Sequence, residues 1–211
     1  MAQIIKAKRS DKQRVLDILV EAFWDDPHVN WFTGQGKGKR NRMRAMMSHA
    51  FEMALPNGDV YLSEDKQAVA IWKTSAKKPF NRYTIWENLN FLYHFGLKKV
   101  RSISAIDKLL QASYPQNEAF YYLFIIGTTK QGRGKGLSSK LMNHILEEAD
   151  KKGIPTYLET ANAGNIGIYN RKEFYTQSEL RLPEPNPITL YLMSRAPQKV
   201  VESRKVLAAA R

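Results

Sequence analysis

The chain has 211 residues, 33 Lys or Arg against 20 Asp or Glu for a net charge of +13, and no cysteine. That length fits one ordinary domain, or two very small ones, and a folded chain of this size can bury about 70% of its surface and needs no covalent staple. The missing cysteine excludes a disulfide scaffold, thiolate metal sites, iron–sulfur clusters and a cysteine nucleophile, while the positive charge asks for an anionic partner.

Met1 to Lys8 lacks the apolar core of a secretory signal, and no window approaches 18 apolar residues, so a soluble, cytoplasmic protein is expected. Ile4 to Lys8 reads as a short strand. Ser10 and Asp11 precede a helix through Phe23, with Val15, Leu16, Leu19, Val20 and Phe23 as its apolar stripe. Asp25-Asp26-Pro27 ends it, and Trp31 to Lys39 reads as a glycine-rich loop. Arg40 to Ala54 is helical and stops before Pro56-Asn57-Gly58. Val60 to Ser63 and Ala68 to Trp72 form a hairpin. A helical region, Tyr83 to Gln111, is broken near Gly96, and Tyr114 to Asn117 is a turn.

Ala119 to Ile126 is a dense apolar run of strand length. After a glycine-rich basic loop comes a helix whose apolar face is Leu137, Leu141, Met142, Ile145, Leu146 and Ala149. Lys151-Lys152-Gly153 supplies a cationic last turn and a C-cap. Thr156 to Glu159 is a strand and Asn165 to Lys172 a short helix. Phe174 to Leu182 and Ile188 to Met193 are two more strands. Residues 1–195 read as a single domain and 196–211 as a basic tail. Mixed strands and helices imply an α/β or α+β fold with a mixed sheet.

The sharpest feature is the loop from Gln131 to Ser138, QGRGKGLS, between a strand and a helix. Unpaired amides at a helix start carry partial positive charge, glycines let a phosphate come close, and Lys130, Arg133 and Lys135 add full charges. This is anion-binding chemistry, most simply for a diphosphate. The Walker and dinucleotide spacings are both absent.

Read as Arg133-x-x-Gly136-x-Ser138, the loop resembles the R/Q-x-x-G-x-G/A signature of the GNAT superfamily of N-acetyltransferases. The register Gln131-x-x-Gly134-x-Gly136 also fits. We prefer the first, because it starts the helix where the apolar stripe begins. Phe124 to Thr128, Leu158-Glu159-Thr160 and Asn165-x-x-x-Tyr169-x-x-x-x-Phe174 resemble the family's flanking strands and second motif helix. Ala22 to Pro27 and Ala68 to Trp72 resemble the small-molecule branch that includes puromycin acetyltransferase. Two residues depart from the pattern. Ser138 stands where Gly or Ala is usual, and Glu173 replaces the glycine common before Phe174. The strand before the loop also carries no acidic residue.

The resemblance implies a GNAT-like mixed, mostly antiparallel central sheet flanked by helices, and direct acetyl transfer from acetyl-CoA to a primary amine in a ternary complex. It assigns the co-substrate to Ile126, Gly127 and Thr128 on the strand, to Arg133, Gly134, Lys135, Gly136, Leu137 and Ser138 in the loop, and to Asn165 and Tyr169. Backbone N–H groups near Ile126 and Thr128 would face the oxyanion. Tyr169, with an ordinary pKa near 10, would supply the leaving thiolate's proton. For the base, Glu159 at a strand end is the chosen candidate, with Asp25, Asp26 and His28 as alternatives. His49, His94 and His144 have no metal-ligand spacing, and no metal is expected.

Lys37, Lys39, Arg40, Arg42 and Arg44 form a second basic cluster near Trp31 and Phe32. It reads first as a solvated loop and helix face, with a phosphate or adenine contact for CoA as another option. A basic nucleic-acid-binding module is the alternative from another class, although nucleic acid is the disfavoured partner. An acetyltransferase of protein amines is a further alternative. The expected partner is a small-molecule amine, with no membrane, for a monomer or homodimer.

Overall fold

The computed structural model describes residues 3–57, 59–74, 82–115, 118–182 and 187–198, with backbone alone for 82–84. Its strands are β1 (Ile4–Lys6), β2 (Val60–Ser63), β3 (Ala68–Thr74), β4 (Tyr121–Thr128), β5 (Thr156–Thr160), β6 (Tyr175–Arg181) and β7 (Thr189–Arg195). Its helices are α1 (Lys12–Ala22), α2 (Pro27–Thr33), α3 (Lys39–Ala54), α4 (Arg82–Ala112), α5 (Leu137–Lys152) and α6 (Ile166–Asn170). The strands form one sheet in the order β1-β2-β3-β4-β5-β7-β6. Every neighbouring pair is antiparallel except β4 and β5, which are parallel and joined through α5. This is the expected mixed, mostly antiparallel sheet flanked by helices.

Alternation along β3 divides the core. Ala68, Ala70 and Trp72 face the helix α5, where Leu141, Met142, Ile145 and Ala149 are buried. Val69 and Ile71 face α1 and α3, against Leu19, Met43, Met47 and Phe51. Truncating a side chain as enclosed as Phe51 to alanine costs about 3–5 kcal/mol. A third, aromatic cluster holds Trp31, Tyr114, Tyr122 and Tyr157 with Ile106 and Leu110 of α4. Gly96, at φ +69°, makes the kink in α4, and Gly153 closes α5 in the left-handed conformation.

Three expectations change. Pro27 begins a helix. Asp26 is extended, its carboxylate accepts the Val29 N–H at 2.9 Å, and proline fits the first helical position, so α2 occupies part of the expected loop. Strand β4 runs two residues later than its apolar content suggests, ending at Thr128. The basic cluster is not simply solvated. Lys39 is 5% exposed and donates to Trp24 O at 2.6 Å and Gln35 Oε1 at 3.0 Å. Arg42 donates to the carbonyls of Thr33, Gln35 and Lys37, and Arg44 pairs with Asp17 at 2.6 Å. These cations hold the turn at 34–38 and the α1–α3 contact. The tail from 199 to 211, and the prolines at 183 and 185, lie outside the described residues.

Candidate active site

The site begins where two parallel strands part. β4 pairs with β5 only from Tyr121↔Thr156 to Leu123↔Leu158. β4 continues to Thr128 against β3, and β5 to Thr160 against β7. Past Leu123, the ladder of β4 thus has a partner on the β3 side alone. A cleft of about 890 Å³ runs from this end of β4. Its wall is Ile126, Gly127 and Thr128 of β4, Arg133 and Ser138 of the glycine loop and α5, Asn165 at the N-cap of α6, and Ile168 and Tyr169 of α6. The other side is the α1–α2 junction from Glu21 to Asp26, with Arg40 of α3. Gly127 is needed there for packing, since a Cβ would lie 3.0 Å from Ala22 Cβ and 3.2 Å from Leu19 Cδ2.

The glycine loop is held from outside and open at its tip. Thr129 N–H donates to Gln67 O at 2.9 Å, and its hydroxyl bonds Gln67 Oε1 at 2.5 Å. Lys130 N–H donates to Glu21 Oε1 at 2.7 Å, tying the loop to α1. Gly132 is buried, and a Cβ there would strike Thr128 Cγ2 at 2.8 Å. Gly134 and Gly136 take φ of +76° and +70°, with open space around both. Gly136 is the N-cap of α5, whose first internal donor is Lys140 N–H to Gly136 O at 3.1 Å. The amides of Leu137, Ser138 and Ser139 precede it, as helix geometry requires.

Arg133 and Ser138, the ends of the preferred register, both line the cleft, whereas the side chains between them do not. Leu137 is 4% exposed and belongs to the core. The charge of Lys135 acts on Asp65, in the β2–β3 turn, so Lys130 and Arg133 are the loop cations beside the cleft.

Tyr169 is buried at the cleft wall, packing at 6.2 Å against the Phe174 ring. Burial pushes its hydroxyl up to about 12, and the charges of Glu159 and Asp26 add to this. An ordinary tyrosine acidity does not hold here. Glu159 lies one residue beyond the last β4–β5 pair. Its Oε2 accepts Tyr114 Oη at 2.9 Å and its Oε1 accepts Tyr122 Oη. Burial pushes its carboxyl up, opposed by those two hydroxyls and by Lys73. Asp25 and Asp26 line the cleft, and burial raises the Asp26 carboxyl although the Val29 amide donates to it. His28 is pushed down to about 4 by burial and packs at a tilt against Phe32, so it is a neutral ring within the fold. Among the described residues, no group of three His, Asp or Glu is placed to hold a metal ion, and no helix is long and apolar enough to cross a membrane.

A model of the Acetyltransferase (GNAT) family matches residues 106–174, the stretch carrying β4, the glycine loop, α5, β5 and α6. An uncharacterized N-acetyltransferase of Schizosaccharomyces pombe is 25% identical over 226 residues, spanning 99% of this chain and 89% of that one. Among solved structures, one described as histone acetyltransferase HPA2 and related acetyltransferase, from Corynebacterium glutamicum, superposes with a TM-score of 0.67. It is 22% identical and covers 95% of this chain and 99% of that one. The arylalkylamine N-acetyltransferase 2 of Aedes aegypti superposes with a TM-score of 0.63, 16% identity, and coverage of 93% and 99%. The chain is a GNAT-fold N-acetyltransferase.

Glu21, Met142 and Asn162 line the cleft of this acetyltransferase and have no site role in the sequence reading. Met142 was read only as core. Glu21, on α1, is held there by the Lys130 N–H, while Trp24 lies in the α1–α2 connection, whose end has a signal in the sequence, an N-cap aspartate before proline. Tyr114 and Tyr122 reach Glu159 from 45 and 37 residues away, which no local spacing reveals.

Proposed function

We propose that this acetyltransferase takes acetyl-CoA between β4 and the glycine loop and transfers acetyl directly to a primary amine of a small molecule, in a ternary complex. Residues 1–195 form the acetyltransferase domain, with 196–211 as its tail. The observation that carries the reading is the parting of β4 from β5 beside a basic loop that opens a 16-residue helix. Freed β4 amides and first-turn amides then face one cleft. The residues suit a diphosphate: two left-handed glycines, the α5 start, and Lys130 and Arg133. Asn165 would orient the amide arm.

When bound, acetyl-CoA supplies an acyl carbon activated as a thioester. The amine nitrogen bonds that carbon, the C–S bond breaks, the amine proton goes to Glu159 through water, and the thiolate leaves. The N–H groups near Ile126 and Thr128 stabilise the oxyanion. Tyr169 serves as a hydrogen-bond donor to the departing sulfur. With its hydroxyl near 12 and an ordinary thiol near 8.5, full proton transfer to sulfur is uphill, and the thiol's proton comes from solvent.

For the acceptor we favour a small amine with an apolar or planar body. The similar fold of an arylalkylamine acetyltransferase and the resemblance of residues 22–27 and 68–72 to the puromycin acetyltransferase branch support this. Asp25 and Asp26 on the opposite wall suit its ammonium group. The test is a thiol-release screen with acetyl-CoA over aminonucleosides, aminoglycosides, polyamines, arylalkylamines and amino acids, beside calorimetric titration of acetyl-CoA. Micromolar binding that Gly136→Glu abolishes is expected, because a side chain at φ +70° is strained and its charge opposes phosphate. No binding at millimolar acetyl-CoA, or normal binding by Gly136→Glu, overturns the cradle.

A further inference from the structure

We propose that Tyr114 and Tyr122 are positioning residues for Glu159: their hydroxyls hold its carboxylate ionised and fixed in direction where β4 and β5 part. This rests on the reading of Glu159 as the base.

Glu159 has an unusual position for a carboxylate. It follows the last β4–β5 pair, Leu123↔Leu158, and sits against the aromatic cluster, yet keeps a partly exposed surface. An acid in apolar surroundings tends to keep its proton and so loses its power to accept one. Here each oxygen receives one hydroxyl: Oε2 from Tyr114 at 2.9 Å and Oε1 from Tyr122. A hydrogen bond to the charged form favours that form, and one donor per oxygen leaves a lone pair on each for an arriving proton.

The donors themselves are held by rings rather than by a mobile loop. Tyr114 packs against Phe120 at 5.8 Å, Tyr122 at 5.3 Å and Tyr157 at 5.2 Å, and both tyrosines are under 10% exposed. Burial first, and then the Glu159 charge, raises both phenols above the ordinary tyrosine value, so they keep their protons and remain donors to the carboxylate. The other groups acting on Glu159 are Lys73 of β3, which favours its charge, and Asp107 of α4, which opposes it. Tyr169 of α6 in turn feels that charge. Tyr114 follows α4 and Tyr122 lies on β4, so two elements separate in sequence converge on one carboxylate of β5.

The test uses the full chain and the variants Tyr114→Phe, Tyr122→Phe and Glu159→Gln. Carboxyl ¹³C NMR titration of glutamate-labelled protein needs no acceptor, and the Glu159 resonance is the one missing from Glu159→Gln. Each tyrosine variant is expected to raise its midpoint by about one pH unit, the size of a lost hydrogen bond to a charged group. The acidic limb of kcat/KM, measured with the amine turned over fastest in the screen, is expected to move up by the same amount. Midpoints unmoved in both tyrosine variants overturn the proposal, as does a loss of kcat/KM equal at all pH values. Full activity in Glu159→Gln overturns the underlying base reading instead, whatever the midpoints do.

Discussion

Thr128 Oγ1 and Ser138 Oγ lie 2.6 Å apart, joining the last residue of β4 to the first turn of α5. Both residues line the cleft, so one hydrogen bond sets the spacing between the strand end and the helix start. This also accounts for serine where glycine or alanine is usual in the motif. Glycine or alanine would leave the Thr128 hydroxyl without this partner.

Thr128→Val keeps the branched shape and removes the bond. Stability should fall by about 1 kcal/mol, the usual worth of such a hydrogen bond. The acetyl-CoA dissociation constant should rise about three- to tenfold with kcat within twofold, since the change disturbs a binding surface and no reacting group. Calorimetry and steady-state kinetics read the two effects, and a kcat loss larger than the affinity loss contradicts the assignment.

Tyr169→Phe should cut kcat by about 10- to 100-fold while acetyl-CoA affinity stays within threefold. The hydroxyl sits near 12, so the wild-type enzyme should show no alkaline limb from this group up to pH 10. A wild-type alkaline limb below pH 9 that Tyr169→Phe removes would mean a far more acidic tyrosine than its buried position permits.

Local patterns made the β4–loop–α5 unit legible. The stripe from Leu137 to Ala149 is buried as its spacing requires, and Gly96 and Gly153 take the left-handed conformations expected of a break and a cap. What was not legible depends on distant partners. Lys39, Arg42 and Arg44 read as a charged surface because the carbonyls of Trp24 and Thr33 and the side chain of Asp17 leave no periodic trace. Pro27 was ambiguous on its own, ending one helix and starting another with equal ease. Glu159 is a candidate by its place at a strand end, whereas the hydroxyls that hold it come from outside its motif.

Glu173 departs from the motif at a conformational cost. Its φ is +65°, the left-handed region in which glycine is favoured, where the family commonly has glycine. Its carboxylate is 3.9 Å from Arg195, which already holds Asp150 with bonds of 2.6 and 2.9 Å. Relief of about 1–2 kcal/mol of strain outweighs the backbone entropy that glycine adds. Glu173→Gly should therefore stabilise the protein by about 0.5–1 kcal/mol, read as a higher denaturant midpoint at unchanged slope. A loss of stability would show that the Arg195 contact matters more than the backbone.

Asp59 sets a pH dependence of stability. Its Oδ2 is buried without a hydrogen-bond partner, and burial pushes the carboxyl up to about 6, against the attraction of Lys6 and with some repulsion from Glu148. A folded value above the unfolded 3.8 means that the native state holds the proton more tightly. Below about pH 4 the group is protonated in both states and takes nothing from stability. As pH rises through 6, the unfolded chain has already ionised, and the difference is lost from the fold. Asp59→Asn should then be neutral near pH 4 and stabilising at pH 8. The gain should be about 1 kcal/mol once solvent screening of a half-buried group is allowed for, or about 3 °C in Tm for a chain of this size. Scanning calorimetry at the two pH values tests it, and an equal gain at both would place the effect in packing rather than in the charge.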